Sequence, residues 1–420
     1  MASGEKAIKK ARISFRCFNL LKFMLKYKST INRITNKTNS PEVINNLLNQ
    51  ITLSGRYYIS DTKLKYILST DELKLNNKIR FAIESNLEVR KEYYESLINK
   101  FFNLKQPGDL ALLIGFQHKI HINYLMNIYN DSTYKVFYIP KKSGGFRTIT
   151  APDQNLKLIQ SRLNFILNLV YKPKASSHGF VFNKNIVTNA NAHVGKSNVL
   201  NIDLKDFFPS INFGRTRGVF IGKPYSIPDN IATIIANICC FDNSLPQGAP
   251  TSPVISNLIC SRLDQKLIKL AKENFCFYTR YADDITFSNS KRLFPEDLTE
   301  KITNIINEEG FNVNEKKIRL QSKYKRQEVT GITVNKKLNI SRKYIKNIRA
   351  ILHNCRINGI ELTTKMYNEK YSKFRLVGIP DFLSSLKGKI EFIGMVRGKS
   401  DEIYNKYLTE FYNLTNQEIG

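Results

Sequence analysis

Apolar residues in this chain recur with two different periods. From Ser252 to Ala271 the apolar positions Val254, Leu258, Ile259, Leu263, Leu267 and Leu270 are spaced as one face of a helix. Upstream, residues 199–203 form an apolar run closing on Asp203, the pattern of a buried strand that delivers one carboxylate at its end. Downstream, the strand-forming residues Cys276, Tyr278, Ile285 and Phe287 flank Asp283 and Asp284, which predicts a short hairpin with two acids at its tip. Tyr134 to Pro140 and Phe146 to Thr150, joined by Lys141-Lys142-Ser143-Gly144-Gly145, predict another hairpin. Ser40-Pro41-Glu42 and Ser69-Thr70-Asp71-Glu72 read as helix starts in a basic leading region. From Arg342 onward, Ile345, Ile348 and Leu352 line one helix face while Arg342, Lys346, Arg349, His353 and Arg356 line another. Residues 198–322 therefore read as strand, helix, helix, hairpin, helix in an α+β layer.

The acids are the informative chemistry. Asp283 and Asp284 side by side on a packed hairpin repel each other, and a divalent cation is the usual physical reason to keep both ionised. Asp203 supplies a third carboxylate from a separate strand. Two-metal phosphoryl transfer needs that arrangement, because each ion must touch both reacting oxygens and a rigid scaffold.

Three blocks then carry a resemblance: Asp203 with Phe207-Phe208 behind it, Leu245 to Pro253 containing Gln247-Gly248, and Tyr281-Ala282-Asp283-Asp284. In this order and spacing they resemble the reverse transcriptases. Asn189-Ala190-Asn191-Ala192-His193 is similar to the Asn-Ala-x-x-His mark of the retron enzymes (Asn189, Ala190, His193), and Val329-Thr330-Gly331 to their Val-Thr-Gly mark. The resemblance implies a right-hand polymerase, with fingers at 106–197, a catalytic palm at 198–335 and an RNA-binding thumb at 336–420, while residues 1–105, which it hardly covers, read from their own pattern as a basic and mostly helical region. It implies two magnesium ions held by Asp203, Asp283, Asp284 and the backbone carbonyl of Leu204. Nucleotide contacts are implied for Lys141, Arg147, Asp206, Gln247, Gly248 and Lys317. Either Phe207 or Phe208 would reject the ribose 2′-hydroxyl, Phe208 being favoured by its position.

Composition narrows the partners. Lysine and arginine number 65 against 35 acids, a net charge of +30, which favours a polyanion. No apolar stretch approaches the roughly 20 residues of a spanning helix, and Arg16, Asn19 and Lys22 interrupt any signal-peptide core, so a cytoplasmic protein is expected. The six cysteines lack paired Cys-x-x-Cys spacing, which argues against zinc and disulfides. Gly195-Lys196-Ser197 looks like the end of a phosphate-binding loop, but Ala190 stands where that motif needs glycine. His118 and His121 lack companion ligands. The basic stripe at Arg342, Lys346, Arg349 and Arg356 suits a phosphate backbone independently of any resemblance.

The family further implies a cognate structured noncoding RNA, a branched RNA-DNA product (msDNA), deoxynucleotide substrates, an effector protein in antiphage defence, and template removal by a host RNase H, with an oligomer possible. No nuclease unit is expected in the 85 residues after Asn335. The alternatives are another bacterial defence or intron-type reverse transcriptase, and a non-catalytic RNA-binding scaffold.

Overall fold

The computed structural model describes residues 91–116, 133–140, 144–372 and 381–416. The chain divides into two compact units, Met1–Asn99 and Lys100–Gly420. In the first, residues 91–99 are described and helical. The helix starts expected at Ser40 and Ser69, together with Lys141, His118 and His121, lie outside the described residues.

In the second unit, α1 (Pro107–Leu113) precedes a two-stranded ribbon of β1 (Tyr134–Pro140) and β2 (Phe146–Pro152), with Tyr134 opposite Pro152 and Pro140 opposite Phe146. Only the root of this ribbon, at Tyr134 and Pro152, is buried. Asp153 then caps α2 (Gln154–Val170), its carboxylate accepting from the Leu156 N–H at 2.7 Å. That helix buries Leu156, Ile159, Leu163, Ile166, Leu167 and Val170, a stripe at the helical repeat. A short α3 (Ile186–Asn191), capped by Asn185, leads into β3 (Asn198–Lys205).

Three helices separate β3 from the next strand: α4 (Phe213–Ile221), α5 (Asp229–Cys239) and α6 (Ser252–Glu273). The sequence reading expected two. The unanticipated α4 is nine residues long and contains Gly214 and Gly218, too short and too weakly patterned to announce itself, yet the Asn212 side chain caps it by accepting from Arg215 N–H.

β4 (Phe277–Tyr281) and β5 (Asp284–Asn289) form the expected hairpin, followed by α7 (Leu298–Glu308), β6 (Asn312–Val313), a 3-10 turn (Glu315–Lys317) and β7 (Arg319–Ser322). The sheet order is β4-β5-β3-β6, with β7 also paired to β3, and every pairing is antiparallel. β3 is therefore central, and Val199, Leu200, Ile202 and Leu204 are each at most 2% exposed, which explains its nearly continuous apolar run. Its outer neighbour is interrupted. β6 pairs at Leu204 and Lys205, β7 pairs at Asn198 to Asn201, and the 3-10 turn fills the break beside Asp203.

A small hairpin, β8 (Glu328–Val329) and β9 (Ile332–Thr333), turns through Thr330 and Gly331, both at positive φ. Among the described residues three helices follow: α8 (Arg342–Ser372), kinked at Gly359, then α9 (Phe382–Arg397) and α10 (Glu402–Asn416). One apolar cluster joins Ala190, Val199, Val329 and Ile332 to Ile348, Leu352, Leu386 and Ile393, so these helices share a core with the end of the sheet. Among the described residues, no helix is long and apolar enough to cross a membrane.

Candidate active site

The three expected acids meet at one end of the sheet. Asp203 lies directly opposite Asp284 in the β3·β5 register, and Asp283 occupies the adjoining turn, its carbonyl accepting from Leu204 N–H at 3.0 Å. The turn is two residues long, and Ala282 takes φ +57°, a left-handed conformation that costs a non-glycine residue. Side chains behind the hairpin hold it there. Arg280 is fully buried and donates from Nε and Nη2 to the two oxygens of equally buried Asp264 at 2.7 Å each, and from Nη1 to the Ala282 carbonyl at 3.1 Å. Tyr278 donates to Asp264 at 2.6 Å, while Asn257 accepts from Arg280 and donates to the Gly179 carbonyl at 2.9 Å. Gly179 packs so tightly against the Ala282 backbone that a Cβ there would collide with its nitrogen.

Two of the three carboxylates at the front, Asp283 and Asp284, lack such compensation. Burial, followed by the charge of Asp203, raises the Asp283 pKa, with Lys317 and Arg147 pulling against the rise. Asp284 is open to solvent on one side, yet the surrounding protein and then the charges of Asp283 and Asp203 push it up to about 6. Asp203 is answered by Lys317, whose ammonium donates to both oxygens at 2.9 and 3.0 Å, and more weakly by the Asn314 amide at 3.3 Å. The interrupted strand explains this contact, because Asn314 N–H bonds the Asp203 carbonyl at 2.8 Å and turns the chain so that Lys317 faces the acid.

Three hard-oxygen donors, of which Asp283 and Asp284 have raised proton affinity, against one ammonium in direct contact, form a donor set suited to divalent cations. Among the described residues, however, no three acid, imidazole or thiol groups stand as a finished cage around one point. A cation at Asp203 competes with the Lys317 ammonium.

The other expected residues divide by location. Arg147, exposed on β2, is near enough to act on Asp283. Phe207 is 4% exposed and stacks on Phe311 at 5.7 Å, a core position, whereas half-buried Phe208 faces Phe180 at 6.2 Å. Asp206 is exposed at φ +47° just after β3. Gln247 accepts from Thr150 N–H at 3.1 Å through its carbonyl, and a Cβ on Gly248 would lie 2.8 Å from the Thr150 carbonyl oxygen. The sequence reading assigned that glycine to a close approach by the nucleotide; its tight neighbour here is the backbone of the ribbon.

Asn189, Ala190 and His193 lie away from the acids, buried beneath β4 and β5. His193 spans the hairpin, Nδ1 to Ser288 Oγ at 2.6 Å and Nε2 to Thr279 Oγ1 at 2.7 Å, and burial drives its pKa down to about 3. Val329 is buried in the same cluster as Ala190, and Thr330 Oγ1 donates to the Ile186 carbonyl at 3.3 Å, so the two short marks support one another through α3. Arg342, Lys346, Arg349 and Arg356 are all exposed on α8, while Ile348 and Leu352 are buried.

Sequence reasoning missed Arg280, Asp264, Asn257, Gly179 and Phe180. One signal was available, an arginine inside an otherwise apolar strand, because a buried guanidinium requires a buried acid.

The reverse transcriptase (RNA-dependent DNA polymerase) family matches residues 139–334. The retron Ec86 reverse transcriptase of Escherichia coli is 37% identical over 228 residues, 53% of this chain and 70% of that protein. The retron Mx65 reverse transcriptase of Myxococcus xanthus is 39% identical over 238 residues, 52% of this chain; the match spans 55% of that relative's length. Among solved structures, a telomerase from Candida albicans in complex with a telomeric RNA fragment aligns with a TM-score of 0.38 and 11% identity, covering 67% of this chain and 63% of that one. At 37% identity over 70% of the Ec86 enzyme's length, the chain belongs to the retron reverse transcriptases.

Proposed function

We propose that the chain is an RNA-directed DNA polymerase that copies a cognate structured noncoding RNA into a branched RNA-DNA product. The observation that carries the reading is Asp203 in register with Asp284, with Asp283 in the turn between β4 and β5. Asp203, Asp283, Asp284 and the Leu204 carbonyl would hold two magnesium ions, which when bound lower the pKa of a primer hydroxyl and stabilise the leaving pyrophosphate. The chain's own groups do the rest. Arg147 and Lys141 grip the triphosphate of an incoming deoxynucleotide, Lys317 meets the charge of the departing pyrophosphate, and Gln247, Gly248 and Asp206 border the nucleotide. The Phe208 ring excludes a 2′-hydroxyl by clash and by offering it no hydrogen-bond partner. The stripe from Arg342 to Arg356 tracks the RNA backbone.

In this reading 106–197 act as fingers, 198–335 as palm and 336–420 as thumb, and the protein works in the cytoplasm, with an effector in antiphage defence and a host RNase H trimming its template. Oligomerisation is compatible with it. Sequencing the nucleic acid that copurifies with the chain tests the proposal. One branched RNA-DNA species is expected; unprimed DNA would indicate a template-independent enzyme, and RNA alone a non-catalytic scaffold.

A further inference from the structure

The palm sheet has a second end. Five residues back along β3 from Asp203, roughly 17 Å away, four chain segments are pinned together. Ser197 N–H donates to the Asn289 carbonyl at 2.8 Å, Lys323 N–H to the Ser197 carbonyl at 2.7 Å, and the Asn198 amide to the Lys291 carbonyl at 3.0 Å. Phe277 lies opposite Ser288 in the same rim.

Three aromatic rings face solvent here: Phe275 is 70% exposed, Phe277 50% and Tyr324 88%. Each carries a lysine ammonium over its face, Lys291 at 4.0 Å from the Phe275 centroid, Lys196 at 3.7 Å from Phe277 and Lys323 at 5.3 Å from Tyr324. Exposed Arg292 and Lys325 add to the positive field. None of these groups takes part in the chemistry around Asp203. Rings this exposed contribute little to the core, and a protein partner would favour a continuous apolar patch over rings covered by cations. Unpaired nucleotides match both features, since each base has a face to stack and each phosphate a charge to neutralise. A duplex would use the lysines and leave the rings idle.

We propose that this rim binds a single-stranded segment of RNA outside the catalytic cleft, with bases stacked on Phe275, Phe277 and Tyr324 and phosphates held by Lys196, Lys291 and Lys323. The proposal rests on the RNA-templated reading, because it places part of the same RNA beyond the acids.

The test uses the full chain with its cleft saturated by unlabelled RNA-template/DNA-primer duplex, and follows a fluorescent oligouridylate by anisotropy. The wild type should still bind the oligouridylate. Phe275→Ala/Phe277→Ala/Tyr324→Ala should weaken that binding on the order of tenfold or more, and Lys196→Glu/Lys291→Glu/Lys323→Glu should weaken it too, with primer extension on the short duplex unchanged. Ultraviolet crosslinking of a 4-thiouridine oligonucleotide to the wild type should mark residues 275–277 and 324. Loss of oligouridylate binding once the cleft is filled, indifference to both triple substitutions, crosslinks confined to the cleft, or tighter binding of oligothymidylate would each overturn it. Failure of the wild type to extend any primer would instead sink the polymerase reading, and the anisotropy result would still decide whether the rim binds RNA.

Discussion

The front and the back of the β4-β5 hairpin handle charge in opposite ways. At the back, Arg280 and Asp264 are both fully buried and satisfy each other through two bonds, with Tyr278 and Asn257 taking the remaining valences. At the front, Asp283 and Asp284 crowd Asp203, and their pKa values rise because burial first, and then the neighbouring carboxylates, disfavour the charged forms. Balanced charge serves as scaffold, and unbalanced charge marks the place where a ligand is expected.

The sharpest way to break this contrast is Asp283→Asn. Removing one of the crowded acids should cut nucleotide incorporation by roughly a thousandfold or more while leaving the melting temperature essentially unchanged, measured by primer extension and thermal unfolding. A variant that still extends primers at the wild-type rate would remove the acids from the chemistry. At the back the expectation reverses. Arg280→Met leaves Asp264 buried without its partner and should cost about 3–5 kcal/mol of stability, read by chemical unfolding, with Arg280→Met/Asp264→Leu recovering much of the loss. Equal stability of the single and double variants would contradict the scaffold role.

The two adjacent phenylalanines restate the comparison on a smaller scale. Phe207→Ala should lose about 3 kcal/mol of stability by opening a cavity beside Phe311, with little change in sugar selection. Phe208→Ala should leave stability nearly intact and admit ribonucleotides in a competition assay; the opposite pattern would exchange their roles.

The gentlest probe is pH, applied in the presence of a chelator. His193 is held neutral in the fold with a pKa near 3, whereas an unfolded histidine protonates near its ordinary 6.5, so its contribution is complete above about 6.5 and is lost as pH falls toward 3. By pH 5 the loss amounts to about 2 kcal/mol. Asp284 has the opposite sign, because a carboxyl raised to about 6 stabilises the fold as pH drops from about 6 toward 4. Unfolding curves of His193→Gln and Asp284→Asn should separate the two arms, the first flattening the acid loss and the second deepening it.

The front of the hairpin was legible in sequence because each acid is embedded in a short run with its own strand signature, such as residues 199–203 or Tyr281-Ala282-Asp283-Asp284. The back was not. Gly179, Asn257, Asp264 and Arg280 are scattered over about a hundred positions on a loop, a helix and a strand, and only folding brings them together. The helix α6 was plain from its apolar repeat, whereas α4, short and glycine-containing, was invisible for want of such a repeat. The partner of Gly248 was equally hidden, since a glycine advertises that something comes close without saying what.

That partner has a mechanical consequence. With the root of the ribbon seated at Tyr134 and Pro152, and Gly248 pressed on Thr150, any flexure must begin beyond Thr150. From there to Phe146 the free arm is four residues, roughly 13 Å, and Arg147 rides near its outer tip while Asp203 stays anchored in the sheet. A single absent methyl group thus sets the length of a cantilever.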